Sequence, residues 1–291
     1  MNEQVCKTDV ECCDGTAGVD AGGYPVEATG NAVLDILEHR SSTRAFARDD
    51  DDRPVAVTDE QRAAILHAAS RAPSAGAMMM YSIVSIREQA TLDRLADLCD
   101  HQPMIAKAPW ALIFVVDYAK WIDLFEHVGC FEPEFVERTG KQPRRAPGLG
   151  DFAIAAQDAV IAAQNAVVAA EALGLGSCYI GDIVENAEEV AELLDLPPYT
   201  MPLSMLIIGT PRKERPAIAH PVVNLVHEER YRRADTAAMD AQVAEMDAMF
   251  RPHAREVGER VVDIYTRKHT SPFMAEMSRS MEWWFKNWLG K

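Results

Sequence analysis

Arg40-Ser41-Ser42-Thr43-Arg44-Ala45-Phe46 is the stretch on which the reading of this chain turns. It sets two guanidinium groups around three hydroxyls, directly after apolar residues at helical spacing (Val33, Leu34, Ile36, Leu37) that begin at the N-cap candidate Asn31. Guanidinium and hydroxyl donors are what a phosphate asks of a protein. Alone, such a run more often marks a solvated helix start. Two distant pieces add weight: Pro73-Ser74-Ala75-Gly76 soon after, and Lys213-Glu214-Arg215 much later. Lys213 and Arg215, two positions apart on an extended segment, project to one side. The three pieces bracket a body of the size of one α/β domain. Together they predict a redox enzyme that holds one phosphorylated aromatic cofactor.

With 291 residues, 48% of them hydrophobic, the chain can bury one large core or two modest ones. Its formal net charge of -16 repels nucleic acid and anionic lipid, so neither is an expected partner. A local cationic pocket can still outweigh that field at hydrogen-bond distance. The six cysteines include Cys6, Cys12 and Cys13 near the start, with no apolar targeting run beside them. That set lacks a fourth ligand, and the eight histidines show no metal-ligand spacing, so no metal site is expected. The expected compartment is the cytoplasm. No Gly-Xaa-Ser-Xaa-Gly elbow or Walker loop occurs, which argues against two large enzyme classes. Gly174-Leu175-Gly176 lacks a third glycine and ends a helix, so a nicotinamide cofactor would visit the same pocket transiently.

Residues 1–30 have no period and read as a flexible leader. Thr58 and Gln61 form a capping-box pattern opening a helix that Pro73 stops. Ser82–Ile86, Ala111–Val116, Ser204–Gly209 and Val222–Val226 read as strands, the second buried on both faces, and 90–99 as a short amphipathic helix. Glu126–Gly150, with Pro133, Pro143 and Pro147, reads as irregular chain over a pocket or partner. Asp151–Leu173 is an Ala-rich helix, apolar on most faces; Asp158, Gln164, Asn165 and Glu171 argue against a membrane span. It is either a core helix or a dimer axis. The proposed organisation is a core domain over 31–235 and a helical extension over 236–291, packing on its own domain or on a partner and ending in Trp283, Trp284, Phe285 and Trp288.

The opening motif resembles the first signature of the nitroreductase family, FMN enzymes built as homodimers. The resemblance continues in family order over residues 31–231, through Ala72–Gly76, Ala108-Pro109, Gly174–Gly181 and Pro202–Pro211 with Lys213 and Arg215 beyond. It implies an α+β sandwich with a mainly antiparallel central sheet flanked by helices, two chains intertwining around two FMN sites. It further implies phosphate contacts from Arg40, Ser42, Lys213 and Arg215, with Ser41 beside them, and Arg44 at the pyrimidine edge. Pro73, Ser74, Ala75 and Gly76 would form the loop along the ring, reached from the second subunit. Gln102 would lie near the flavin, and Ile180-Gly181 would bring backbone to the reactive nitrogen.

One departure stands out. Where the family commonly has Asn, a variable residue, Gln, Pro and Trp, this chain has Ala77-Met78-Met79-Met80-Tyr81. The absent amide side chains remove polar contacts of ~1 kcal/mol each. Three readings stay open: an altered substrate pocket with FMN retained, core filler before a strand, or a site that has lost FMN. The expected activity is hydride passage from NAD(P)H to an electron-poor small molecule (nitroaromatic, quinone or enone) by a ping-pong route. Arg44 and Gly181 would tune the ring, while Met78, Met79, Tyr81, Trp121 and Phe125 shape substrate access. The alternative is a non-catalytic flavin- or ligand-binding protein with a Met-rich pocket.

Overall fold

Strand β2 (Trp110–Asp117) is buried at every position, which fixes it as the centre of a sheet covered on both sides. The computed structural model describes residues 28–141, 144–213, 225–251, 253 and 255–290. Within them β2 pairs with β1 (Tyr81–Ile86) and with β4 (Thr200–Gly209), and β3 (Gly176–Ile180) pairs with β4, giving the order β1-β2-β4-β3. Every strand pair is antiparallel. The β2–β4 register slips between Phe114 and Val115, where Pro202 enters the ladder. A proline has no N–H to donate, so an irregular position is where a central strand tolerates it.

The helices are α1 (Ala32–His39), α2 (Asp59–Ser70), α3 (Gln89–Leu98), α4 (Pro103–Ala106), α5 (Ala119–His127), α6 (Pro133–Thr139), α7 (Leu149–Ala172), α8 (Ala187–Leu193), α9 (Thr236–Phe250), α10 (Glu259–Ile264) and α11 (Pro272–Trp288). Asn31 caps α1 by accepting from the amides of Val33 and Leu34. Thr58 and Gln61 form the reciprocal capping box of α2. One sheet face carries Ile113, Val115, Ile207, Cys178 and Ile180 against α3, α4, α8 and Trp284 of α11. The other carries Leu112, Phe114, Leu206 and Ile208 against α2 and the alanines of α7. The result is the α+β sandwich with an antiparallel sheet that the resemblance implied.

Two expectations need correction. Glu126–Gly150 is not irregular throughout: α5 runs to His127 and α6 occupies Pro133–Thr139, Pro133 taking the first helical turn where its missing N–H costs nothing. Of the strand expected at Val222–Val226, residues 222–224 lie outside the described residues. Leu225 and Val226 are exposed and in no strand. The strand β3 was missed, because Gly174-Leu175-Gly176 read only as the end of the preceding helix, whereas Gly176 opens the strand.

Alpha7 is long and apolar enough to cross a membrane by length and composition. One stripe of it (Ala159, Ala162, Ala163, Ala166, Val167, Ala170) is buried on α2 and the sheet, and Ala155 on the same side is buried with Val116, Ile122 and Trp288. The opposite stripe leaves Ile154, Val160 and Ile161 exposed.

Candidate functional site

The opening motif lies as a ribbon between two other motif segments. Thr43 N donates to Ser177 O at 2.9 Å, and Ser42 forms a parallel bridge with Ser177 at the start of β3. On its other side Ala47 N donates to Thr210 O at 2.8 Å and Arg212 N to Ala45 O at 3.0 Å, where the chain leaves β4. Arg44 and Lys213 are thus brought beside one another by backbone pairing, and both are exposed. Gly176 makes the close approach possible: a Cβ there would lie 2.1 Å from Oγ1 of the buried Thr43.

Arg40 enters from the end of α1, half-buried, and interacts electrostatically with Glu171 of α7 and Tyr179 of β3. Burial raises the carboxyl pKa of Glu171 and pushes the Tyr179 phenol up to about 12, with Arg40 opposing both shifts. Nε of Arg40 and Oε1 of Glu171 are buried without a hydrogen-bond partner. A buried guanidinium donor left unmatched is the feature an oxyanion would satisfy. Glu214 and Arg215 lie outside the described residues, so the second cation of that pair is not placed.

At the far end of β3, Ile180 is buried and Gly181 opens onto free space, with nothing within 4 Å of a Cβ built there. Gln102, at the start of α4, donates its amide to Asp182 and so braces the turn after Gly181. The Pro73–Gly76 segment sits elsewhere. Ala75 N is bound by Asp158, in the N-terminal half of α7, whereas Arg40 reaches Glu171 near its C-terminus. At 1.5 Å per residue these points are about 20 Å apart along the helix. One chain therefore assembles Arg40, Ser41, Ser42, Arg44 and Lys213 near the C-terminal end of α7, carries Gly181 a strand length away at the far end of β3, and holds Pro73, Ser74, Ala75 and Gly76 against the N-terminal half of α7.

A sequence model of the Nitroreductase family matches residues 37–210. The chain belongs to the nitroreductase family. It is an oxidoreductase, as its relatives are by name. It is 32% identical over 223 residues to the "FMN reductase [NAD(P)H]" of Bacillus subtilis (strain 168), covering 74% of this chain and 82% of that one. Against the "Oxygen-insensitive NADPH nitroreductase" of Salmonella typhimurium it is 33% identical over 219 residues, covering 73% and 81%. Among solved structures, the NADPH:FMN oxidoreductase from Vibrio harveyi complexed with NAD+ superposes with a TM-score of 0.66 at 25% identity, over 86% of this chain and 97% of that one.

The methionine run of this chain splits by burial. Met80 is core, Met78 is half-buried and Met79 is 44% exposed. Tyr81 opens β1 with its ring in the core against α2, its hydroxyl donating to Ala69 O at 3.2 Å, so it does not line an open pocket. Trp121 donates Nε1 to Met78 O at 3.0 Å and stacks near Phe125, centroids 5.5 Å apart. Phe125 also lines a cavity of about 440 Å³ with Tyr118, Phe131, Phe135 and, at its rim, Lys141 and Arg145. Phe131 and Phe135 were unremarkable in sequence because the helix that presents Phe135 was itself unforeseen. Asp158, read only as a break in an apolar helix, is the larger omission.

Proposed function

We propose that this chain is an FMN-dependent oxidoreductase that passes hydride from NAD(P)H to an electron-poor acceptor such as a nitroaromatic, quinone or enone. The single observation that carries the reading is the convergence of Arg40, with its unmatched buried Nε, and the adjacent Arg44 and Lys213 segments on one edge of the sheet. The donor set fits a phosphate. Arg40, Ser41, Ser42 and Lys213 would hold it, joined by Arg215, and Arg44 would face the pyrimidine edge. When bound, FMN supplies the hydride chemistry, and the protein supplies orientation and charge. Gly181 leaves backbone room for a planar ring, with Ile180 behind it and Gln102 fixing the turn through Asp182. Met78, Met79, Trp121 and Phe125 form a soft apolar wall suited to flat acceptors. Reductant and acceptor use one pocket in turn, which makes the kinetics ping-pong.

The loop Pro73–Gly76 reaches the ring of the partner's site, since about 20 Å of α7 separates it from the cationic cradle of its own chain. The enzyme is then a homodimer, closed along the exposed stripe of α7 and the apolar face of α1 (Val33, Leu34, Leu37), with a soluble, cytoplasmic working environment. The core domain spans 31–235 and the extension 236–291. The test is the absorption spectrum of the purified protein, then anaerobic titration with NADPH and NADH. Flavin bands that bleach with one reductant and return on adding a quinone are expected. A coloured protein that never bleaches would make it a flavin carrier, and a colourless one that binds no added FMN would overturn the reading.

A further inference from the structure

The loop Ser74–Met80 holds three residues in the left-handed region: Gly76 at φ 57°, Ala77 at 55° and Met79 at 47°. Two are not glycine, so the shape is imposed by contacts and not by local preference. The contacts converge on Asp158, only 3% exposed, whose Oδ1 accepts from Ala75 N at 2.9 Å and Oδ2 from Met80 N at 3.3 Å. Each end of the loop thus takes one oxygen of a single carboxylate anchored on α7. Its charge is offset by Lys120, half-buried, which interacts electrostatically with both Asp158 and Asp117 and donates to Tyr81 O at 2.5 Å. Only a carboxylate presents two acceptor oxygens to two amides; asparagine offers one and turns an NH₂ toward the other.

We infer that Asp158 is a positioning residue, clamping the Ser74–Met80 loop in the shape that meets the flavin ring, on a chain that lacks the amide side chains common in that loop. The clamp acts through the amides of Ala75 and Met80, so it does not depend on the side chains at positions 78 and 79. The inference rests on the proposed FMN site. Its test uses full-length Asp158→Asn, and the double variant Asp158→Asn/Lys120→Met, which removes both charges together and serves if the single variant fails to fold. Hydrogen exchange on the apoproteins should show amides 75–80 opening at least about tenfold faster than in the wild type, the effect of one charge-assisted hydrogen bond, with β2 unchanged. FMN should bind about tenfold more weakly and with a shifted visible band. Wild-type exchange in both variants overturns the clamp. Faster exchange with unaltered FMN affinity and spectrum reduces Asp158 to a stabilising residue and overturns the positioning role. A wild type that binds no FMN defeats the proposed function instead, and the exchange arm still judges the clamp.

Discussion

A methyl group at position 176 would collide with Thr43, and one at 209 would lie 2.7 Å from Pro109 and 2.8 Å from Phe46. Those two glycines let the opening motif lie flat across β3 and the exit of β4, and this brings Arg40 to its place. Arg40 is half-buried with its Nε unmatched, so it has already met part of the desolvation cost that a phosphate contact would recover. Arg40→Ala should weaken FMN binding by about 1.5–3 kcal/mol, the range for a charged hydrogen bond. Riboflavin, which lacks the phosphate, should bind the variant and the wild type alike. Fluorescence titration of the apoproteins with both ligands separates the cases, and equal losses for the two ligands would remove Arg40 from the phosphate. The residue types of this site were legible in sequence because cations and hydroxyls cluster in short motifs. Asp158 was not, since its partners Ala75 and Met80 lie 83 and 78 positions away and contribute only backbone.

Helix α8 shows the same limit one level up. Its entry residue Asn186 takes a left-handed φ of 47° and spends its side chain on Leu98 O at 2.7 Å, so it caps nothing locally. The cap comes from α11: Glu276 accepts from Asn186 N and Ser280 Oγ from Ala187 N, while Arg279 grips Glu188 with two bonds of 2.8 Å. Trp284 donates to Val184 O and Trp288 to Gly148 O, fastening the same helix along its length. The aromatic tail was visible in sequence as a packing segment, but its target was not, because 90 or more residues intervene. Beside this joint Glu185 is buried with Oε1 unmatched. Burial, then Asp182, Asp100 and Glu276, push its carboxyl up to about 7 from 4.5, Lys268 opposing them. The unfolded chain ionises first, so the contribution of Glu185 to stability is full below pH 4.5 and is lost as pH rises through about 7. Glu185→Gln should therefore raise Tm at pH 8 by roughly 3–6 °C and change it little at pH 5. Thermal melts at the two pH values check this, and an equal shift at both would show that the carboxyl is not the titrating group.

Among the described residues, the outer stripe of α7 is an apolar surface left open on the single chain. Ala153, Ile154, Gln157, Val160, Ile161 and Gln164 lie on one face, linked by three- and four-residue spacings such as 153/157, 154/157, 157/160, 157/161 and 160/164, on the side opposite the buried alanines. Such a helix, apolar on both faces, was recognisable from its alanine content; its buried stripe meets the reading of a core helix, and its exposed stripe is where a dimer axis would have to lie. A two-fold axis running across the outer stripe would set the cationic edge of one chain against the Pro73–Met80 loop of the other. Val160, at the middle of the stripe, is 48% exposed in the single chain, so a charge there costs the folded monomer little. In the dimer the same charge would be buried against its own copy with no counter-ion, a penalty of several kcal/mol. Val160→Glu should therefore keep the wild-type circular dichroism spectrum, sediment as a monomer where the wild type sediments as a dimer, and lose FMN, because each site then lacks the loop from the other chain. A monomeric variant that still retains FMN would place both walls of the site in one subunit, against the 20 Å or so of helix that stands between them.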